Sequence, residues 1–156
     1  MARLKNISRN LAAFLDMIAF SEGTQRVVGS DDGYDVLVGG TLFKGYDKHP
    51  HVMVDLPKLG IKSSAAGRYQ LLGKYADAYM AQLNLRDFSP ENQDRIAIQQ
   101  IKERNALADI EAGRFALAVS KCKNIWASLP GAGYGQHEHT IQNLQVAYTS
   151  AGGVLA

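Results

Sequence analysis

Apolar residues recur at helical spacing near the N-terminus of the chain. A period close to 3.6 residues over residues 8–21 predicts an amphipathic helix. Its apolar face consists of Leu11, Phe14, Leu15 and Ile18. Glu22 follows Ile18 by four residues, so it falls on the same face in the last turn, and Gly23 is the predicted C-cap. The pattern therefore places a carboxylic acid on the buried side of a helix end.

A different pattern follows between residues 34 and 64. Residues 34–43 predict a strand, a tight turn and a second strand, because Gly39 and Gly40 can supply the positive φ angles of a two-residue hairpin. Residues 44–64 contain Pro50 and Pro57, mixed charge and no strong period. We predict a long loop there, and loops of that length are usually functional or mobile.

Helical patterns dominate the rest of the chain. One helix face is marked by Tyr69, Leu72, Ala76, Tyr79 and Leu83. Ser89 and Pro90 predict the start of a helix that runs to about Lys102. Other helices are predicted over residues 107–111, 115–129 and 141–148, with a glycine-rich loop over residues 131–136. The pattern predicts an α+β protein, mostly helical, with one small antiparallel hairpin placed early.

Composition narrows the class of protein. The 156 residues, 46% of them hydrophobic, predict a single domain over residues 1–156. A net charge of +2 does not indicate a nucleic-acid partner. Residues 11–20 contain Asp16 and are much shorter than the roughly 18 residues of a membrane span, so we expect neither membrane insertion nor a classical export signal. Cys122 is the only cysteine and is expected to be buried, and we expect a soluble, cytoplasmic monomer without disulfides.

Glu22 is the main candidate for chemistry. Partial desolvation and the negative end of the helix dipole both disfavour its charged form. Both effects raise a carboxyl pKa, which suits a general acid that works near neutral pH. Helix geometry alone also allows a solvated glutamate at a frayed helix end.

The segments 44–64 and 130–139 are predicted to form the two lips of a cleft. Tyr69, Gln70, Tyr134 and Gln136 lie in or near them. Aromatic rings suit the apolar faces of sugars, and amides suit hydroxyl and N-acetyl groups, so this set indicates sugar binding. For Tyr69, packing in the core is an equal alternative.

Six blocks of the sequence resemble the lambda-type phage endolysins, in the same order and over nearly the whole chain. They are residues 13–24, 33–40, 66–72, 87–90, 99–104 and 124–136. The first block ends in Ser21-Glu22-Gly23-Thr24. Ala65 departs from the family pattern, which has glycine there, and so does His137, where the family has an aromatic residue.

The resemblance implies a lysozyme-like fold with a substrate cleft and the activity of a lytic transglycosylase. Such an enzyme cleaves the β-1,4 bond between N-acetylmuramic acid and N-acetylglucosamine of peptidoglycan and leaves a 1,6-anhydro end. The resemblance implies that Glu22 is catalytic, that Asp35 lies in the cleft wall, and that Tyr69, Gln70 and Tyr134 line the sugar groove. It implies no metal or organic cofactor. It also implies host lysis, with the enzyme held in the host cytoplasm until a holin-type pore opens the way to the periplasm and cell wall.

A hydrolytic muramidase is the nearest alternative. Retaining and inverting glycosidases need two carboxyl groups, whereas a transglycosylase can work with one. The second carboxylate would be Asp31, Asp32 or Asp35.

Two more distant hypotheses also remain open. A zinc amidase would draw its ligands from two His-x-His pairs, with Cys122 elsewhere in the chain. The pairs are His49/His51 and His137/His139. A non-catalytic cell-wall-binding module or virion structural protein would have the fold without the chemistry.

Overall fold

The computed structural model describes residues 1–135 and 137–156, which form six α-helices and a two-stranded antiparallel sheet. In chain order the elements are α1 (Arg9–Glu22), a short 3-10 helix (Thr24–Arg26), β1 (Val54–Leu56), β2 (Ile61–Ser63), α2 (Gly73–Gln82), α3 (Pro90–Glu103), α4 (Leu107–Glu111), α5 (Phe115–Cys122) and α6 (Ile141–Ser150). The predicted α+β class is confirmed. Within the described ranges, no helix has the length and apolar character needed to cross a bilayer.

Helix α1 lies at the centre of the larger hydrophobic core. It packs against α4 and α6 and completely buries Phe14 and Ile18. Its N-terminus is capped by Ser8, whose Oγ accepts a hydrogen bond from the Leu11 N–H at 3.0 Å. Its C-terminus is capped by Gly23 at φ 75°, a left-handed conformation that favours glycine. The predicted helix face and cap are confirmed, and the core therefore fixes the helix end from which Glu22 projects.

The regular sheet lies later in the chain than the pattern predicted. Strands β1 and β2 pair antiparallel, with Asp55 opposite Lys62, inside the segment predicted to be a loop. That prediction was wrong, and the predicted hairpin at residues 34–43 is reduced to a single bridge between Val36 and Leu42. The chain does reverse at the two glycines, but Leu37 bridges to the distant Ala66. A strand partner so distant in sequence cannot be predicted from the local alternation of apolar and polar residues.

Two helices are shorter than predicted. Helix α2 begins at Gly73, so Tyr69 precedes it and does not mark its face. Helix α5 ends at Cys122, which is fully buried as predicted, and the chain then continues in turns. In these turns the Trp126 indole N–H donates to the backbone carbonyl of Tyr69 at 3.0 Å. This long-range hydrogen bond stabilises the non-helical conformation of the segment. Local helix propensity does not include such a tertiary contact, so it predicts too long a helix.

The side chain of Arg68 is fully buried. Its guanidinium donates to the Asp32 carbonyl at 3.0 Å, to the Tyr69 hydroxyl at 3.1 Å and to Asp16 Oδ1 at 2.9 Å. A buried charge is tolerated only when it is paired and hydrogen-bonded, and these contacts satisfy that condition.

The carboxylate of Asp94 on α3 extends this hydrogen-bond network. Its Oδ1 accepts hydrogen bonds from the hydroxyls of Tyr34 at 2.8 Å and Tyr69 at 2.6 Å. Its Oδ2 accepts from the backbone N–H groups of Arg3 at 2.7 Å and Leu4 at 2.8 Å. The network therefore ties the N-terminal segment to the loop before Tyr34, to the turn at Tyr69 and to α3.

Replacing Arg68 with methionine, which keeps the volume but removes the charge, is expected to lower the free energy of unfolding by about 3 kcal/mol, because buried acceptors lose their donor. Urea denaturation at pH 7 measures the change. Arg95→Met, at an exposed position on α3, is the control and should change the midpoint little. Equal unfolding midpoints for the two variants would contradict the conclusion that the Arg68 network stabilises the fold.

Candidate active site

An open cleft of about 660 Å³ lies between the β1–β2 hairpin and the segment that follows α5. The hairpin contributes Leu56, Leu59 and Ile61, and the opposite segment contributes Ile125, Trp126 and Ala127. Glu22 reaches the cleft from the end of α1. The cleft is thus mainly apolar, with a carboxylic acid in its wall, as expected for an enzyme pocket that orients a ligand with few polar groups.

The environment of Glu22 favours its protonated form. Burial raises the pKa of Glu22 to about 7, although the hydrogen bond from Ser128 acts in the opposite direction. Ser128 Oγ donates to Glu22 Oε1 at 2.8 Å. The direction of the shift agrees with the sequence expectation, and a carboxyl group with this pKa can both give and take a proton near neutral pH.

Two serine hydroxyls are aligned on the Glu22 carboxyl. Ser21 Oγ donates to Ser128 Oγ at 2.7 Å, and both side chains are buried. A hydroxyl has a single proton to donate. Because Ser128 accepts from Ser21, its own proton is directed to Glu22, which fixes one carboxyl oxygen in position.

His139 holds the two serines together through the backbone. Its main-chain N–H donates to the Ser128 carbonyl at 2.9 Å, and its ring Nε2 lies 3.1 Å from the Ser21 carbonyl, which requires Nε2 to carry a proton. His137 lines the cleft, with its ring centroid 5.0 Å from that of His139. Neither Ser128 nor His139 was singled out by the sequence as a neighbour of Glu22, because 106 and 117 residues separate them from it.

The three aspartates considered as a second carboxylate are engaged outside the described lining of the cleft. Asp31 pairs with Arg3 and accepts a hydrogen bond from the Tyr46 hydroxyl at 2.7 Å. Asp32 pairs with the N-terminal ammonium group. Asp35 Oδ1 accepts from the Asp31 N–H at 2.7 Å. The Asp35 carboxylate thus closes a local turn, and its place in the cleft wall stays a prediction.

Gln70 lines the cleft, as the sequence analysis proposed for the groove. Its Nε2 donates to the carbonyls of Val36 at 3.2 Å and Gly67 at 2.9 Å. Its backbone has φ 52°, which is uncommon for a residue other than glycine, asparagine or aspartate. Such conformations persist where surrounding contacts hold them, and they cluster at functional sites.

Tyr69 and Tyr134, also expected to contact a sugar, are not among the described residues that line this cleft. The Tyr69 side chain is 4% exposed and belongs to the core and the Arg68 network, so the core alternative describes its position. Tyr134 is 58% exposed on the glycine-rich loop, outside the described cleft lining. Gln136 lies outside the described residues.

The histidine pairs do not form a metal centre within residues 1–135 and 137–156, where no three histidine, cysteine, aspartate or glutamate side chains gather at ligand distance. His49 is buried, with Nε2 2.7 Å from the Leu71 carbonyl and Nδ1 accepting from the His51 N–H at 3.0 Å. Burial lowers the pKa of His49. This pair therefore fastens the segment before β1 to the turn after Gln70.

Replacing Glu22 with glutamine is expected to stabilise the fold above neutral pH. The raised pKa of Glu22 means that the native state binds more protons than the unfolded chain between about pH 4.5 and 7, so its contribution to stability falls as pH rises through that window. We expect Glu22→Gln to raise the free energy of unfolding by roughly 1–3 kcal/mol at pH 8 and by much less at pH 4. Denaturation at both pH values measures this, and a gain that is independent of pH would contradict it.

Known proteins with similar sequences belong to the family that the sequence resembles. A family model described as Endolysin matches residues 12–155. The endolysin of Escherichia phage lambda is 54% identical over 152 residues, covering 96% of this chain and 95% of that protein. The endolysin of Escherichia phage P2 is 50% identical over 161 residues, covering 97% and 98%.

A solved structure of bacteriophage lambda lysozyme complexed with a chitohexasaccharide matches with a TM-score of 0.93 and 51% identity, covering 98% of this chain and 100% of that chain. The lysozyme-like fold predicted from the resemblance is confirmed. With its helix-end glutamate in an apolar cleft and this degree of identity, the chain belongs to the endolysin family, the phage lysozymes that degrade peptidoglycan.

Proposed function

We propose that this endolysin is a lytic transglycosylase that cleaves the bond between N-acetylmuramic acid and N-acetylglucosamine with Glu22 as its single acid and base. The observation that carries the proposal is that Glu22 is the only carboxylic acid among the described residues lining the cleft. A hydrolase of either stereochemistry would need a second carboxyl group close to the scissile bond. Asp31, Asp32 and Asp35 are held in turns and ion pairs elsewhere.

The chemistry needs only one group because the sugar supplies its own nucleophile. Protonated Glu22 gives its proton to the glycosidic oxygen, and the bond from that oxygen to C1 of the muramic sugar breaks. The C6 hydroxyl oxygen of the same sugar bonds to C1, and its proton passes to the Glu22 carboxylate. The acid is regenerated, no water is consumed, and a 1,6-anhydro ring forms.

The apolar cleft supports this route. A pKa of about 7 leaves a large share of Glu22 protonated at neutral pH, and return of the proton needs a base of similar strength. The hydroxyl pair Ser21 and Ser128 holds one carboxyl oxygen, which leaves the other for the proton transfer. Apolar side chains around the reaction centre limit the water that would compete with the C6 hydroxyl.

The related lambda lysozyme was solved with a chitohexasaccharide, and this supports a glycan strand as the ligand of this chain. We infer that residues 1–156 act as one catalytic domain, that the protein is a monomer, and that no metal or organic cofactor takes part. Gln70 is the proposed polar contact to the sugar, and Tyr134 and Gln136 are proposed contacts from the glycine-rich lip. In this proposal the enzyme stays in the host cytoplasm until a membrane pore gives it access to the wall.

Digestion of purified peptidoglycan should release soluble muropeptides that are one water lighter than the hydrolytic products. Mass spectrometry of the fragments before and after borohydride reduction distinguishes the two kinds of product, because borohydride reduces a free sugar end but not a 1,6-anhydro end. Reducing muramic ends would contradict transglycosylation and would favour a muramidase. Release of peptides from intact glycan would contradict cleavage of the glycan itself.

Glu22→Gln should reduce turnover by 10²-fold or more, because the amide cannot deliver the proton to the leaving oxygen. Turbidity loss of purified sacculi measures the rate, and circular dichroism checks the fold. Glu91→Gln, at an exposed position on α3, is the matched control and should keep wild-type activity. Substantial activity in Glu22→Gln would contradict the assignment of the acid.

Ser128→Ala should move the alkaline limb of the kcat/KM profile to higher pH. The lost hydrogen bond favours the ionised carboxyl group, so its removal raises the pKa of Glu22, and activity then persists to higher pH. Ser21→Ala, which leaves the bond from Ser128 to Glu22 in place, should shift the limb less. Ser120→Ala, at an exposed position on α5, controls for the loss of a serine. A shift to lower pH in Ser128→Ala would contradict this role.

A further inference from the structure

A second pocket, of about 220 Å³, adjoins the active-site cleft. The two cavities share Gln70, Leu72, Ile125 and Trp126 in their linings, so a ligand that occupies one reaches the edge of the other. The cleft is lined mainly by apolar groups, whereas the second pocket is rich in amide, phenol and guanidinium groups. We call it the polar pocket.

Three polar side chains of the polar pocket have their hydrogen-bonding groups available. Gln100 and Arg104 come from the end of α3, and Asn124 comes from the turn after α5. The side chains of these three residues make no hydrogen bond or ion pair with another described residue. Buried polar atoms of the described chain all have partners, so these groups are solvent-accessible. Convergent, unused polar groups around a concavity are typical of a ligand site.

Arg104 is the one charged residue among the described residues that line the polar pocket. The guanidinium of Arg104 is in its lining, and Lys74 Nζ lies 4.9 Å from the ring centroid of Tyr75, which also lines it. The nearest carboxylate in sequence, Glu103, already accepts hydrogen bonds from Tyr79 Oη at 2.6 Å and Gln99 Nε2 at 3.2 Å. Glu103 keeps its charge but makes no ion pair with Arg104, so the planar fork of Arg104 is available to an external carboxylate.

We propose that the polar pocket binds a carboxylate of the peptide stem of peptidoglycan, with Arg104 as the specificity-determining residue. This inference rests on the proposed function, because it takes a muramic sugar to be bound beside Glu22. Each muramic sugar of a glycan strand carries a peptide on its lactyl group, and these stems contain free carboxylates and many amide groups. Gln100 and Asn124 provide amide partners for the stem, and Tyr75 and Tyr79 provide flat apolar surfaces.

The two cavities differ in chemistry as the two parts of this substrate do. A sugar chain is neutral and presents apolar ring faces, which suit the cleft. A peptide stem is anionic and rich in amides, which suits the polar pocket. Binding energy from a part of the substrate remote from the reacting bond can also position the sugar at Glu22.

The test compares soluble glycan strands that keep their peptide stems with strands from which an amidase has removed them and whose exposed lactyl carboxylates have then been capped as neutral amides. The wild-type enzyme should cleave the stem-bearing strands with the higher kcat/KM. Arg104→Gln should lower the ratio of the two kcat/KM values about tenfold, through KM on the stem-bearing strands. Arg104→Lys keeps the charge without the fork and should lie between the two. Arg95→Gln, exposed on the same helix, is the control and should keep the wild-type ratio.

The outcomes separate this proposal from the proposed function. If the wild-type enzyme forms no 1,6-anhydro ends from either substrate, the proposed function fails. If it forms them equally well from both substrates, the role of the stem is overturned. The same holds if Arg104→Gln loses activity equally on both, because a contact to the sugar or a structural defect would leave the ratio unchanged.

Discussion

The buried guanidinium of Arg68 is the constraint on which the cleft depends. A charge in the interior costs several kcal/mol unless every donor is matched, so the chain must bring its acceptors to fixed positions. The neighbouring Gly67 shows how tight this region is, because a Cβ there would lie 2.3 Å from Gln93 Oε1. That oxygen accepts the Arg68 backbone N–H at 2.9 Å. The next two residues are fixed by the same contacts: Tyr69 enters the core and Gln70 lines the cleft, so this part of the cleft wall depends on the buried charge.

The tryptophan in the cleft wall depends on the same arrangement. Trp126 is held by the carbonyl of Tyr69, whose hydroxyl belongs to the network. The wall that contains Trp126 is therefore tied to the turn before α2 by a hydrogen bond between residues that are 57 positions apart. Rigid support of this kind lets a small protein hold a carboxyl group in an apolar wall, although moving that group out of water costs free energy.

Features set by neighbouring residues could be predicted from the sequence, whereas features set by residues far apart in the chain could not. The position of Glu22 follows from the spacing of four apolar residues and a glycine cap, and both are local signals. The pairing of Leu37, the end of α5 and the position of Tyr69 depend on partners far along the chain, so local periodicity gave the wrong element or the wrong bounds. Strands β1 and β2 pair locally, but each has only three residues, which is too few for a period to be recognised. Ser128 could not be found by spacing, since a serine before Leu129 and Pro130 looks like an ordinary helix end. Resemblance to a family added roles that the residues alone left open, such as the one expected of Asp35.

The lone cysteine, Cys122, has a consequence for a protein proposed to pass from the cytoplasm to the cell envelope. Its thiol is in the core, and burial raises its pKa to about 12. Oxidants and disulfides react with the thiolate, which is almost absent at such a pKa. The two compartments differ greatly in redox poise, yet the one thiol of this chain is shielded from both. The fold therefore contains no disulfide that an oxidising compartment must form, and its buried thiol needs no reductant to stay reduced.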